Sequence, residues 1–158
     1  MNSQLIEIYT DGSCNPKYRV GAWAALIFTN NHKHVLHGLE KETTHNRMEM
    51  LAVVNSIEYV MKEFPENKSI KIYTDSQYVV GIPTRAKKLI SKRFTANSGN
   101  SIQNIDLVEK LIQLIESSNI LLIKVKAHQK VSETVNYNRE VDKLSRKIVR
   151  KELSNRKK

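Results

Sequence analysis

Apolar and polar positions alternate at the start of the chain. Leu5, Ile6, Ile8 and Tyr9 surround Glu7 and give way to Thr10-Asp11, which predicts a strand over Leu5–Tyr9 that ends there. Ala22–Thr29 is apolar enough for a second, central strand, and His34–Leu39 is a weaker third after the polar Asn30-Asn31 turn. Short links between the three predict an antiparallel meander. From Asn46 to Lys62 the period changes: Met50, Val54, Ile57 and Met61 form the stripe of an amphipathic helix, stopped by Pro65.

Ser69–Thr74 predicts the next strand, and Asp75-Ser76 caps a short helix that ends near Gly81-Ile-Pro83. Residues 84–101 are polar and basic and read as an excursion from the core. Ile105, Val108, Leu111, Ile112 and Ile115 mark another helix, with Asn104 or Asp106 favourable at its start. Ile120–Lys126 predicts a fifth strand, 127–137 a polar loop, and Val141, Leu144 and Ile148 a last helix that frays into Arg156-Lys-Lys158. The order β-β-β-α-β-α-α-β-α predicts an α/β fold: one mixed sheet whose later strands are joined by right-handed helical crossovers.

Composition narrows the partners. The chain has 158 residues, enough for one domain, and 40% of them are hydrophobic, so a core can form. Its formal net charge is +10, which favours polyanions: nucleic acid first, an anionic membrane surface second. A single cysteine excludes an internal disulfide and fits a reducing compartment. The N-terminus shows no signal peptide, and no run approaches the roughly 20 apolar residues of a membrane span, so a cytoplasmic protein is expected.

Within this basic chain four acids stand apart. Asp11 and Asp75 each close an apolar, β-branched run, where a side chain projects over the edge of a sheet. Glu49 lies near the start of the first long helix and Asp142 near the start of the last. Taken singly, each has a plain structural reading as a turn former, a cap or a solvated helix residue. Converging at one sheet edge, they would repel one another and call for a cation. Hard oxygen ligands without a Cys or His cluster favour Mg²⁺ or Mn²⁺ over Zn²⁺, and such a site acts on phosphates.

The stretches Asp11-Gly-Ser-Cys14, Asn46-Arg-Met-Glu49, Thr74-Asp-Ser-Gln-Tyr78, Ile102-Gln-Asn-Ile-Asp-Leu107 and Val125-Lys-Ala-His128 followed by Asp142 resemble type 1 ribonuclease H. The likeness runs from about Leu5 to Leu153 and implies a ribonuclease H-like fold: a five-stranded mixed sheet, its first three strands antiparallel and its later strands parallel, flanked by helices. It implies a ribonuclease H domain over 1–153 with a basic tail over 154–158. The implied activity is hydrolysis of the RNA strand of an RNA–DNA hybrid by a monomeric enzyme of replication and repair, leaving 3′-hydroxyl and 5′-phosphate ends.

By the same resemblance Asp11, Glu49, Asp75 and Asp142 hold two Mg²⁺ ions, for which Mn²⁺ can substitute, with Asp11 between them. His128, on a loop, moves protons or helps release product. Cys14, Asn15, Asn46 and Gln77 match substrate contacts, Thr44 a contact to a DNA phosphate, and Arg85, Lys87, Lys88, Lys92 and Arg93 the family's basic protrusion. Asn15–Gly21 replaces a glycine-rich turn, the loop from His128 to Asp142 is longer, and Val141 stands where Cys or Ala is common, a packing change. Other residues read more plainly. His32, His34 and His37 fit a surface, Trp23 a core, Cys14 either a core thiol or a substrate contact, and Arg146, Lys147, Arg150 and Lys151 a solvated helix face.

Overall fold

The computed structural model describes residues 5–30, 32–66, 69–127 and 136–156; His128 and Lys157-Lys158 lie outside them. Five strands, β1 (Leu5–Asn15), β2 (Val20–Thr29), β3 (His32–Glu40), β4 (Ser69–Thr74) and β5 (Ile120–Lys124), form one sheet in the order β3-β2-β1-β4-β5. The β1-β2-β3 meander is antiparallel, and β4 and β5 add in parallel to β1, as the sequence order predicts. Four helices complete the fold among the described residues: α1 (His45–Glu63), α2 (Gln77–Ser91), α3 (Ile105–Ser117) and α4 (Tyr137–Asn155).

Alternation along the strands sends side chains to two layers. Ile6, Ile8, Ala25, Ile27, Ile70 and Ile72 pack with Met50, Val53 and Ile57 of α1 and with Val108 and Leu111 of α3, forming the main core. Ala24 and Leu26 face the other way and pack on Val141 of α4, with Tyr9, Phe28, Tyr137 and Leu144 around them. Val141 is thus a packing residue, as expected. Trp23, expected in the core, is half-buried, with its indole lying across Gly38 of β3. His34 is half-buried rather than on the surface, its Nε2 3.1 Å from Thr29 Oγ1.

Two boundaries differ from the expectation in ways that shape the site. β1 does not end at Thr10-Asp11; it continues to Asn15 by pairing with β2. What ends there is its parallel neighbour, since β4 pairs with β1 only over Leu5–Tyr9. Asp11 therefore projects from a strand supported on one side and open on the other.

Helix α2 does not stop near Pro83 but runs through it to Ser91. Proline removes one backbone donor and disturbs the preceding turn. Side chains engage carbonyls around the break: Thr84 Oγ1 donates to Gly81 O at 2.9 Å, Arg85 Nε to the same oxygen at 3.2 Å, and Arg85 Nη2 to Tyr78 O at 2.8 Å. The apolar series Val79, Ile82, Ala86, Leu89 crosses the proline at helical spacing and holds the helix to the core. Asn104 precedes α3 in a left-handed conformation, φ 57°, and makes no side-chain cap; its Oδ1 accepts instead from Arg47 Nη1 at 3.4 Å. β5 stops at Lys124, two residues short of the expected end.

Candidate active site

The carboxylate at Asp11 is carried over the notch where β4 leaves β1, and Asp75 follows the last residue of β4. Ser76 then caps α2, its Oγ accepting from Val79 N at 3.2 Å, so the chain turns away from the notch immediately after Asp75. Glu49 arrives from α1, whose first turn is fixed by Thr44 Oγ1 accepting from Arg47 N at 3.2 Å. How closely α1 can lie on β1 is decided at Gly12. A Cβ there would fall 2.5 Å from the backbone nitrogen of Glu49 and 2.6 Å from the carbonyl carbon of Met48. Glycine is required for close approach, with no need of an unusual φ.

As a result, one carboxylate oxygen from each of Asp11, Glu49 and Asp75 lies within 4.8 Å of the others. Asp11 is 4% exposed and Glu49 1%, so these are acids withdrawn from water. Burial, followed by the negative charges of Glu49 and Asp75, pushes the Asp11 carboxyl well above the usual carboxylate range. Burial and then Asp75 push Glu49 upward as well. The two titrate as a pair, so an elevated proton affinity belongs to both.

Neither Glu49 oxygen has a hydrogen-bond partner of good geometry among the described residues. His45, one turn earlier on α1, brings Nε2 within 3.2 Å of Glu49 Oε1 from the solvent side. Gly12 N donates to Asp11 Oδ1 at 2.9 Å. A buried, underbonded acidic cluster is the electrostatic environment that a hard divalent cation completes.

Asp142, in the first turns of α4, lines the same cleft, and its Oδ1 is ion-paired with Arg146 Nε at 3.0 Å. It is not one of the three oxygens that gather within 4.8 Å. The cleft, of about 570 Å³, is also lined by Cys14, Asn46 and Gln77, so three of the expected substrate contacts stand beside the carboxylates. Cys14 Sγ points toward Thr43 O at 3.6 Å and is a wall of this cleft, not a core thiol.

Asn15 and Thr44 are not part of that lining. Asn15 Oδ1 accepts from Lys17 N and Tyr18 N, both at 3.0 Å, and shapes the turn between β1 and β2. Thr44 is the cap of α1.

The basic group divides. Arg85 is folded back on α2, with its guanidinium 4.8 Å from the Tyr78 ring centroid and bonded to the carbonyls near Pro83. Lys92 donates to Asn97 Oδ1 at 3.0 Å. Lys87, Lys88 and Arg93 are exposed, and Arg93 begins the left-handed pair Arg93-Phe94 that turns the chain back. Lys88 lies in the last turn of α2, where a cation is favoured. His128 lies outside the described residues. Two residues with no role assigned from sequence also belong here: His45, signalled only by its i,i+4 spacing to Glu49, and Asn138, four residues before Asp142.

Residues 3–150 match the family model described as RNase H. A protein named Ribonuclease H from Acetivibrio thermocellus is 32% identical over 148 residues, spanning 92% of this chain and 95% of its own. One of the same name from Wolbachia sp. subsp. Drosophila simulans is 33% identical over 150 residues, spanning 94% and 98%. Among solved structures, LC9-RNase H1, described as a type 1 RNase H with the type 2 active-site motif, superposes with a TM-score of 0.76. It is 20% identical, and the match covers 94% of this chain and 74% of that one, which is evidence for the shared fold.

Proposed function

The chain belongs to the RNase H family, and from that premise we propose that it is a type 1 ribonuclease H, a metal-dependent endonuclease acting on the RNA strand of RNA–DNA hybrids. The observation that carries the proposal is the Asp11–Glu49–Asp75 cluster, in which Asp11 and Glu49 are buried and neither Glu49 oxygen has a hydrogen-bond partner, in a protein of net charge +10. Two Mg²⁺ ions held by these residues and Asp142, with Mn²⁺ as a substitute, would activate a water and stabilise the departing 3′-oxygen, giving 5′-phosphate and 3′-hydroxyl ends.

The chain's own groups do the rest. Asn46 and Gln77 carry amides that both donate and accept, which suits the 2′-hydroxyl of a ribose, itself donor and acceptor. They and Cys14 face the cleft from α1, α2 and β1, so a nucleic-acid strand is oriented from several sides. Asn15 and Thr44 are assigned to the rim, with Thr44 beside a DNA phosphate. Lys87, Lys88 and Arg93 offer exposed cations to the DNA strand, supported by Lys92. His128 is assigned to proton movement and product release. The protein is assigned to the cytoplasm as a monomer; its one cysteine is free, and among the described residues no helix is long and apolar enough to cross a membrane.

Labelled RNA–DNA hybrid, duplex RNA and duplex DNA incubated with Mg²⁺, Mn²⁺ or EDTA test this directly. Metal-dependent cleavage of the hybrid alone is expected. Hybrid binding without cleavage would make the protein a non-catalytic module, and cutting of duplex DNA would make it a different nuclease on the same scaffold.

A further inference from the structure

The outer side of α4 carries charge of one sign. Arg139, Lys143, Arg146, Lys147 and Arg150 recur at helical spacing and share one side of the helix, while Val141, Ser145 and Val149 lie buried on the other. Lys143, Arg146, Lys147 and Arg150 are exposed. The acids of α4 leave most of that side uncompensated: Glu140 is held by Lys33 at 2.8 Å, Asp142 by Arg146 at 3.0 Å and Glu152 by Arg156 at 3.6 Å. The side chains of Lys143, Lys147 and Arg150 make no ion pair or hydrogen bond among the described residues. A purely solvated face interleaves signs, because like charges four residues apart repel. Here Lys143 stands four residues from both Arg139 and Lys147, and Arg146 four from Arg150. Such a face suits a polyanion.

Its position selects nucleic acid over an anionic membrane. The stripe starts at the active site: Arg139 lines a small recess with Asp11, Asp75 and Asp142, and Arg146 lines the cleft. From Arg139 to Arg150 it runs about 17 Å, at about 1.5 Å per residue. The apolar side of α4 is spent on Ala24 and Leu26 of β2, which leaves none to enter lipid. The path then selects a single strand over a duplex. Helices α1 and α2, which bring Asn46 and Gln77 to the cleft, pack on one face of the sheet, and α4 packs on the other. A duplex stays straight over about 50 nm and does not fold around a sheet edge. A single strand bends, and a row of cations is enough to follow its phosphates.

We propose that the outer side of α4 binds the phosphates of a single-stranded tail leaving the hybrid, so that the substrate this enzyme holds most tightly is a hybrid with an unpaired extension. The proposal deepens the ribonuclease H reading and rests on it.

The test measures binding in EDTA, apart from cleavage. The probes are a blunt hybrid and the same hybrid carrying a tail of about ten nucleotides on each strand end in turn. At least one tailed hybrid should bind wild type more tightly than the blunt one and with a steeper salt dependence. In the triple variant Lys143→Gln, Lys147→Gln, Arg150→Gln the slope for that hybrid should flatten by about two units, at about 0.7 for each cation on a single strand. Raising salt from roughly 50 to 200 mM should then cost wild type about 20-fold more affinity than the variant. Affinity for the blunt hybrid should change far less, kcat on it with Mg²⁺ should hold, and Tm should be equal or higher as the repulsion is relieved. The variant Lys143→Arg, Lys147→Arg, Arg150→Lys, which keeps the charge, should keep the tail advantage. Equal wild-type affinity for blunt and tailed hybrids overturns the proposal, and this comparison needs no variant. So do a tail advantage that survives the Gln variant, an equal loss on blunt and tailed hybrids, or binding to anionic phospholipid vesicles that the Gln variant loses in its place. Tailed hybrids that bind as expected but are never cut with Mg²⁺ overturn the ribonuclease reading alone.

Discussion

Arg47 and Asp106 meet in a two-pronged ion pair, Nη1 to Oδ1 at 3.1 Å and Nη2 to Oδ2 at 2.9 Å, which fastens the start of α1 to the start of α3. Arg47 Nε also reaches Glu40 Oε1 of β3 at 3.4 Å. Arg47 lies between Asn46, in the cleft, and Glu49, in the acidic cluster, so the pair steadies the helix end that supplies both.

Asp106→Asn should therefore cost about 1 kcal/mol or less, since the Asp106 side chain is 59% exposed and solvent screens the pair. In a chain of this size that is a Tm loss of about 2–4 °C. Hydrogen bonding to Arg47 lowers the Asp106 pKa, so the pair's contribution is present above the ordinary carboxylate range and is lost as pH falls through the lowered value. Thermal melts of wild type and variant should differ at neutral pH and converge in acid. A gap that persists in acid would separate the loss from this charge.

The acidic cluster predicts the opposite sign. Asp11 and Glu49 bind protons more tightly folded than unfolded, so in metal-free protein their contribution is full below the ordinary carboxylate range and is lost as pH rises through their elevated values. In EDTA the Tm should fall from acid toward alkaline pH. With Mg²⁺ present that fall should shrink, because binding N but not U stabilises and displaces protons. A gap between the two melting curves that stays constant with pH would contradict a shared buried cluster.

Neutralising single members separates chemistry from folding. Asp11→Asn and Glu49→Gln should lower kcat by on the order of 10² to 10³ or more. In EDTA at alkaline pH both should melt higher than wild type, because a buried like-charge repulsion is relieved. Full activity in either variant would remove that residue from the catalytic role.

On α2 the two kinds of cation should part company. Lys87→Gln with Lys88→Gln should weaken hybrid binding and flatten its salt dependence by about one unit for each phosphate no longer neutralised, with kcat at saturation retained. Arg85→Gln should instead lower Tm, because its guanidinium bonds carbonyls around Pro83. Binding isotherms at several salt concentrations and thermal melts decide the matter. An unchanged salt slope in the lysine variant would dismiss it as a binding surface.

Gly12→Ala should be disruptive despite its mild chemistry. The added methyl would meet backbone of Met48 and Glu49, which cannot rotate aside, so α1 must lift from β1. Loss of both Tm and Mg²⁺ affinity is expected, and calorimetry that finds wild-type metal binding would refute the close-packing argument.

Much of this was legible in the residues themselves. Strand alternation and helical stripes carried the order of elements along the chain, and the contexts of Asp11, Glu49 and Asp75 carried the cluster. The length of α2 is set not by the local rule for Pro83 but by a longer-range signal, the Val79, Ile82, Ala86, Leu89 series that crosses it. The polar residues after Tyr9 mark the departure of one neighbour of β1, which a one-dimensional pattern does not distinguish from the end of the strand. Asn138 and His45 carry no signal in the sequence for another reason: burial of a single oxygen and an approach to Glu49 exist only once the helices are docked.

The early departure of β4 has a last consequence. From Thr10 onward, β1 presents on one flank backbone groups that no neighbouring strand among the described residues completes, at the spot where the acids gather. Two more residues of parallel pairing would zip this aperture shut and entomb the acids under peptide. The enzyme's working gap is thus an unfinished seam, and the length of its shortest inner strand sets how wide that seam stays open.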